Sequence, residues 1–263
     1  MNNKYNLIVS GIPIVDKLWG GLYKGKNYLL IGESRIGKSS VASRFISVGL
    51  KNKENCLYLS NMKLKEFKNV KAFNNFDIQS FIENDLLTFK RILLPNDIFD
   101  FIDKDEFLTA YFEDIKNIVK EYSPKRIVID ELTPFIEFES LTTLLKVYNE
   151  IIEFFQKENI TSLFILREPA TKLSKILVNS LMISSMGMIS MHKNKFDKNN
   201  SKITLTSNYL SSERDIDTND KIEFSRRLQR NNLGNSYSQD LKKLYEHSNG
   251  IFNIEDELFK YLN

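Results

Sequence analysis

Cysteine is nearly missing from this sequence: Cys56 is the only one among 263 residues. That excludes a disulfide framework and a cysteine-based zinc site. The two histidines, His192 and His247, stand apart and read as isolated side chains rather than as a ligand pair or a catalytic base. Long apolar runs are also lacking. None approaches the roughly 20 residues of a membrane-spanning helix. No apolar h-region follows Met1-Asn2-Asn3-Lys4, so neither a membrane span nor a signal peptide is expected. No excess of one charge sign is present. The 37 Lys and Arg against 34 Asp and Glu give a net charge of +3, which by itself argues for neither a nucleic-acid nor a membrane partner. What remains is the composition of a soluble globular protein, 42% apolar and 27% charged. The length suits one large domain or two small ones with a substantial core, and a reducing cytoplasm is the expected setting.

Short apolar runs alternate with helical patterns. Tyr28–Ile31, Cys56–Leu59, Arg126–Asp130 and Ser162–Leu166 read as strands. Leu141, Leu144, Leu145, Tyr148, Ile151, Ile152 and Phe155 recur at helical spacing, and a second helical pattern runs from Ile98 to Val119, ahead of Pro124. Strands separated by helices predict an α/β fold with a mainly parallel sheet covered on both faces. After Ser185 the pattern changes. Met186–His192, Ile203–Ser207 and Ile222–Ser225 read as strands joined by Asn/Asp/Ser-rich turns, which predicts an antiparallel extension at one sheet edge. A domain over residues 1–232 and a helical tail over 233–263, broken near Gly250, complete the expected organisation.

The most specific chemistry lies at Gly32-Glu33-Ser34-Arg35-Ile36-Gly37-Lys38-Ser39, which matches G-x-x-x-x-G-K-[ST]. An apolar strand precedes it and a helical run beginning at Ser40 follows, the context that separates a working P-loop from a chance match. A turn rich in N–H groups at a helix N-terminus makes a concave anion site. Gly32 through Ser40 are the expected phosphate-binding residues. Lys38 places a point charge on the β- and γ-phosphates, and the Ser39 hydroxyl is placed for Mg²⁺.

The other half of such a site is a carboxylate at the carboxyl end of a neighbouring strand. Asp130 supplies it and is the expected partner of Mg²⁺. Glu131, next in sequence, either orients the attacking water or points away by strand alternation. Arg167, at the end of the fourth strand, either stabilises charge on the γ-phosphate or forms a surface salt bridge.

Ser10-Gly11-Ile12-Pro13, Asp16, Leu18, Gly20-Gly21-Leu22 and Gly25 lead into the P-loop strand. With Asn55–Ser60, Val128–Thr133 and Ser162–Glu168, this pattern resembles KaiC-like ATPases of the RecA/RadA superfamily over roughly residues 9–225. The resemblance implies a RecA-like core, ATP and Mg²⁺ binding, and assembly into rings, often hexameric, with ATP between subunits. It has two departures. Where the family carries glutamates after the second strand, this sequence has Met62-Lys63, neither of which serves as a general base, and Glu66 stands a turn further on. Where the family carries a trans-acting K-M-R-G segment, this sequence has Ser207-Asn208-Tyr209-Leu210, with Lys202, Arg214, Arg226 and Arg227 as shifted candidates. Such fingers contribute about 10³–10⁵ in rate, so slow or absent hydrolysis is expected. Three functions fit this sequence: a regulatory ATP-binding protein with weak turnover, a non-hydrolysing subunit of a homo- or heteromeric assembly, and a RadA-like DNA mediator.

Other features have plainer explanations. The lysines at 63, 65, 68 and 71, with Phe67, Phe73 and Phe76, read as a solvated helix face over buried aromatics rather than a nucleic-acid patch. Met182, Met186, Met188 and Met191 read as core. Trp19 is expected either near the nucleotide or at an interface.

Overall fold

In a computed structural model of the chain, residues 6–70, 73, 76–92, 103–132, 140–169, 171–193 and 201–207 are described. The chain divides into two units, Met1–Tyr209 and Leu210–Asn263, and every described residue belongs to the first. The expected boundary at 232/233, the strand at Ile222–Ser225 and the helical tail lie outside the described residues.

The order is β1 (Leu7–Ile8), α1 (Pro13–Trp19), β2 (Leu22–Tyr23), β3 (Asn27–Gly32), α2 (Lys38–Lys51), β4 (Cys56–Ser60), α3 (Leu64–Lys68), α4 (Ile78–Glu83), β5 (Leu87–Arg91), α5 (Lys104–Tyr122), β6 (Arg126–Asp130), α6 (Leu141–Lys157), β7 (Thr161–Arg167), α7 (Lys172–Ile183), β8 (Gly187–Lys193) and β9 (Ser201–Ser207). A seven-stranded sheet runs β5-β4-β6-β7-β3-β8-β9, and β1 pairs with β2 in a separate ribbon. Strands β5 through β8 of that order are parallel, and among the described strands of this sheet only β9 is antiparallel, paired to β8. Among the described residues the antiparallel extension is one strand deep, because β8 itself runs parallel to β3.

The central strands are continuous apolar runs because both faces are covered. Tyr28 and Leu30 of β3, Tyr58 of β4, Val128 of β6 and Leu163 and Ile165 of β7 pack with Ala42, Phe45, Ile46 and Leu50 of α2. On the opposite face, Phe164 meets Tyr148 and Phe155 of α6, with ring centroids 5.4 and 6.1 Å apart. The buried stripe of α6 is the one predicted, except that Val147 is buried and Leu145 only half so.

The lead-in glycines have a steric reason. Asp16 accepts from the N–H groups of Ser10 (2.7 Å) and Gly11 (3.0 Å), which curls the chain tightly before α1. Gly11 has φ +75°, and a Cβ there would stand 2.7 Å from the Arg44 carbonyl of α2. At the amino end of the sheet, the fully buried Arg126 ion-pairs with Glu54, donates to the carbonyls of Val9 and Phe45 (3.0 Å each) and lies over the Phe45 ring.

Candidate nucleotide site

Because the sheet is parallel through this region, the carboxyl ends of β3, β4, β6 and β7 share one edge. Gly32 lies level with Arg167 on one side and Met191 on the other, and Ser60 lies level with Asp130. Open α/β sheets bind ligands at this edge.

The loop after β3 is built for an anion. Gly37, the N-cap of α2, is in the left-handed region at φ +104°, and no side chain caps the helix. The first-turn N–H groups of Lys38, Ser39 and Ser40 have no acceptor within an α-helix by its geometry, so they offer donors with the helix dipole behind them. Ser34 and Arg35 of the loop are exposed, Glu33 and Ile36 half-buried, and Arg35 also takes a positive φ of 63°. A Cβ on Gly32 would stand 2.8 Å from the Met191 carbonyl, so the loop starts pressed against β8.

Lys38 is buried and lies across the loop. Its Nζ donates to the carbonyls of Gly32 (2.7 Å) and Glu33 (3.0 Å) and stands 3.3 Å from Glu131 Oε1. Glu131 therefore points into the site. Its other oxygen, Oε2, accepts from Arg167 Nε at 2.9 Å. The Asp130–Glu131 peptide is cis. Of the two readings of Arg167, the structure shows an ion pair on a half-exposed side chain, but its partner is the site carboxylate rather than a remote surface acid.

Asp130 is 7% exposed, and burial pushes its carboxyl above the usual range, while hydrogen bonds from Tyr58 and Ser39 and the nearby Lys38 charge oppose the rise. The Tyr58 hydroxyl donates to Asp130 Oδ2 at 2.6 Å. Ser39 hydrogen-bonds Asp130, and both are hard oxygen donors of the kind Mg²⁺ takes, typically one or two side chains plus phosphate oxygens. Among the described residues there is no group of three or more His, Cys, Asp or Glu placed to hold a metal unaided. The donor set thus fits a cation that arrives with a nucleotide.

Sequence reasoning missed Tyr58, which sits in an apolar strand and reads as core. The usable signal was strand alternation: Tyr58 and Ser60 share a face, and Ser60 is level with Asp130. It also missed Met191, whose methyl would lie 3.9 Å from a Cβ on Gly37 and so packs beneath the loop. Trp19 is not near the loop. It lies against Gly187 and 6.1 Å from the Tyr28 ring, at the opposite end of β3 and β8. Lys63 and Lys65 are exposed and Phe67 and Phe73 buried, as expected of a solvated face.

A family model described as the KaiC ATPase matches residues 8–211. The chain belongs to the KaiC ATPase family. The circadian clock protein KaiC2 of Synechocystis is 23% identical over 158 residues, which is 59% of this chain and 26% of that protein. The KaiC-family domain described here therefore spans 26% of the length of that curated relative. A KaiC-like protein from the hyperthermophilic archaeon Pyrococcus horikoshii superposes with a TM-score of 0.58 at 17% identity, over 79% of this chain and 90% of that one. At that identity the likeness speaks for the fold, which is RecA-like. In this KaiC-family domain the run after β4 is Asn61-Met62-Lys63, and the Glu66 carboxylate accepts from the Lys63 N–H at 3.0 Å, capping α3. Ser207 ends β9, and the remaining finger candidates lie outside the described residues or have side chains that do. No helix among the described residues is long and apolar enough to cross a membrane.

Proposed function

We propose that this KaiC-family domain binds ATP with Mg²⁺, hydrolyses it slowly, and acts in regulation through nucleotide-dependent assembly with copies of itself or a related ATPase. The observation that carries the slow step is the double engagement of Glu131 by Lys38 and Arg167. Among the described residues it is the acid that ion-pairs with the P-loop lysine, and Met62-Lys63 supply none.

Lys38, the loop N–H groups and the first turn of α2 bind and orient the phosphates. Asp130 and Ser39 hold Mg²⁺, which when bound neutralises charge on the β- and γ-phosphates. Glu131 accepts the proton of the water whose oxygen attacks the γ-phosphorus as the bond to the ADP oxygen breaks. Both of its oxygens are already engaged, so it meets that water only after one contact opens. Phosphate oxygens compete for the same two cations, which ties that opening to nucleotide binding. Assembly and a cytoplasmic setting rest on the family and on a single buried cysteine.

Steady-state phosphate release tests the reading. Native turnover above the Lys38→Ala background, abolished by Glu131→Gln, is expected. Release from the native chain equal to that of Lys38→Ala would leave a non-hydrolysing ATP-binding subunit. Light scattering with and without ATP–Mg²⁺ tests assembly, and a monomer in both conditions would refute it.

A further inference from the structure

Tyr58 is fully buried, and its ring is held by aromatics: Phe67 of α3 at 4.6 Å and Phe89 of β5 at 6.2 Å between centroids. A phenylalanine would fill the same space, so packing accounts for the ring and not for the hydroxyl. A buried phenol requires an acceptor, and main-chain carbonyls commonly provide one. Here the acceptor is Oδ2 of Asp130, at 2.6 Å. The geometry is specific. Tyr58 is level with Val128, two residues short of Asp130 on the adjacent strand, and the length of the phenol spans that offset.

An ionised carboxylate only accepts hydrogen bonds. With Oδ2 bonded to the Tyr58 hydroxyl, one oxygen of Asp130 is held in place, and Ser39 also hydrogen-bonds the carboxylate. Partners that orient a metal-binding carboxylate in this way typically account for about 10–100-fold in metal affinity.

We propose that Tyr58 is a positioning residue for the divalent cation, fixing the Asp130 carboxylate by its 2.6 Å hydrogen bond so that the cation of a nucleotide complex meets a preset oxygen. The inference rests on the reading of this site as an ATP–Mg²⁺ site.

The test uses the full chain and a fluorescent N-methylanthraniloyl-ATP titrated over a range of Mg²⁺ and in EDTA. For Tyr58→Phe, the Mg²⁺ concentration giving half of the metal-dependent gain in affinity is expected to rise about tenfold or more, with affinity in EDTA unchanged within about twofold. Phe67→Leu, which disturbs the packing and keeps the hydroxyl, is expected to leave the Mg²⁺ midpoint in place. An unchanged midpoint in Tyr58→Phe overturns the role of Tyr58 and leaves the ATP reading standing. So does an equal loss with and without Mg²⁺, or an equal midpoint shift in Phe67→Leu. A native chain that binds the nucleotide in neither condition overturns both.

Discussion

Glu131 holds Lys38 and Arg167 at once, one carboxylate oxygen 3.3 Å from Nζ and the other 2.9 Å from Nε. Lys38 is thereby occupied by an acid of its own chain. The side chains of Lys38 and Glu131 are only 8% and 15% exposed, so solvent screens the pair less than it would on the surface.

Removing the acid should therefore favour binding while harming chemistry. Glu131→Gln is expected to tighten ATP binding about fivefold, the equivalent of roughly 1 kcal/mol for a partly screened pair. Turnover falls to the Lys38→Ala background. Equilibrium binding of a fluorescent ATP analogue, read beside phosphate release, checks the opposed signs. Weaker binding in Glu131→Gln would refute the competition.

Arg126 and Glu54 predict a difference between removing one charge and removing two. Glu54→Ala leaves a fully buried guanidinium without its counter-charge and should cost about 2–3 kcal/mol, toward the low end for broken buried pairs because Glu54 is 24% exposed. Arg126→Met with Glu54→Leu should cost less than Glu54→Ala alone. Urea unfolding of the two variants decides it, and a larger loss in the double variant would contradict the account.

Gly11→Ala combines an unfavourable φ of +75° with a Cβ 2.7 Å from the backbone carbonyl of Arg44. That atom belongs to α2 and has no flexible way to yield. A loss of about 2 kcal/mol or more is expected, seen as a lower urea midpoint at unchanged slope. A neutral result would show that the lead-in segment can shift off α2.

Burial pushes the Cys56 thiol up from 9.0 to about 12, and pushes the phenols of Tyr28, Tyr111 and Tyr148 up as well. Each group binds its proton more tightly folded than unfolded. Their contributions are complete below the unfolded values and are lost as pH rises toward the folded ones. Stability should then be flat up to about pH 8.5 and fall above it, by as much as about 1.4 kcal/mol per pH unit for each such group. Thermal unfolding by circular dichroism across that range checks the sign. A rise in stability above pH 9.0 would contradict it.

The parts legible in the sequence were those whose environment is uniform. Strands covered on both faces show as unbroken apolar runs, and the P-loop shows as spaced glycines before Lys38. Strand β5 did not show, because Leu87-Thr88-Phe89-Lys90-Arg91 is an edge strand whose far end is exposed and charged. In sequence Arg126 is the first residue of a strand, and only the fold shows it enclosed by Val9, Phe45 and Glu54. The direction of Glu131 was undecidable from alternation alone, since it follows the last residue of β6. Helix α5 begins at Lys104, where Asp103 accepts from the Glu106 N–H at 2.8 Å, and the earlier part of the predicted helical run lies outside the described residues.

Trp19, the one tryptophan in 263 residues, lies near Tyr28 and Gly187 at the ends of β3 and β8 remote from the phosphate loop. Its emission is thus an optical reporter placed at the far end of the strands that carry the loop. Light absorbed there samples the packing at that end of the sheet. A nucleotide-induced change in that emission would mean that binding at one end of β3 is felt through the length of the strand at the other.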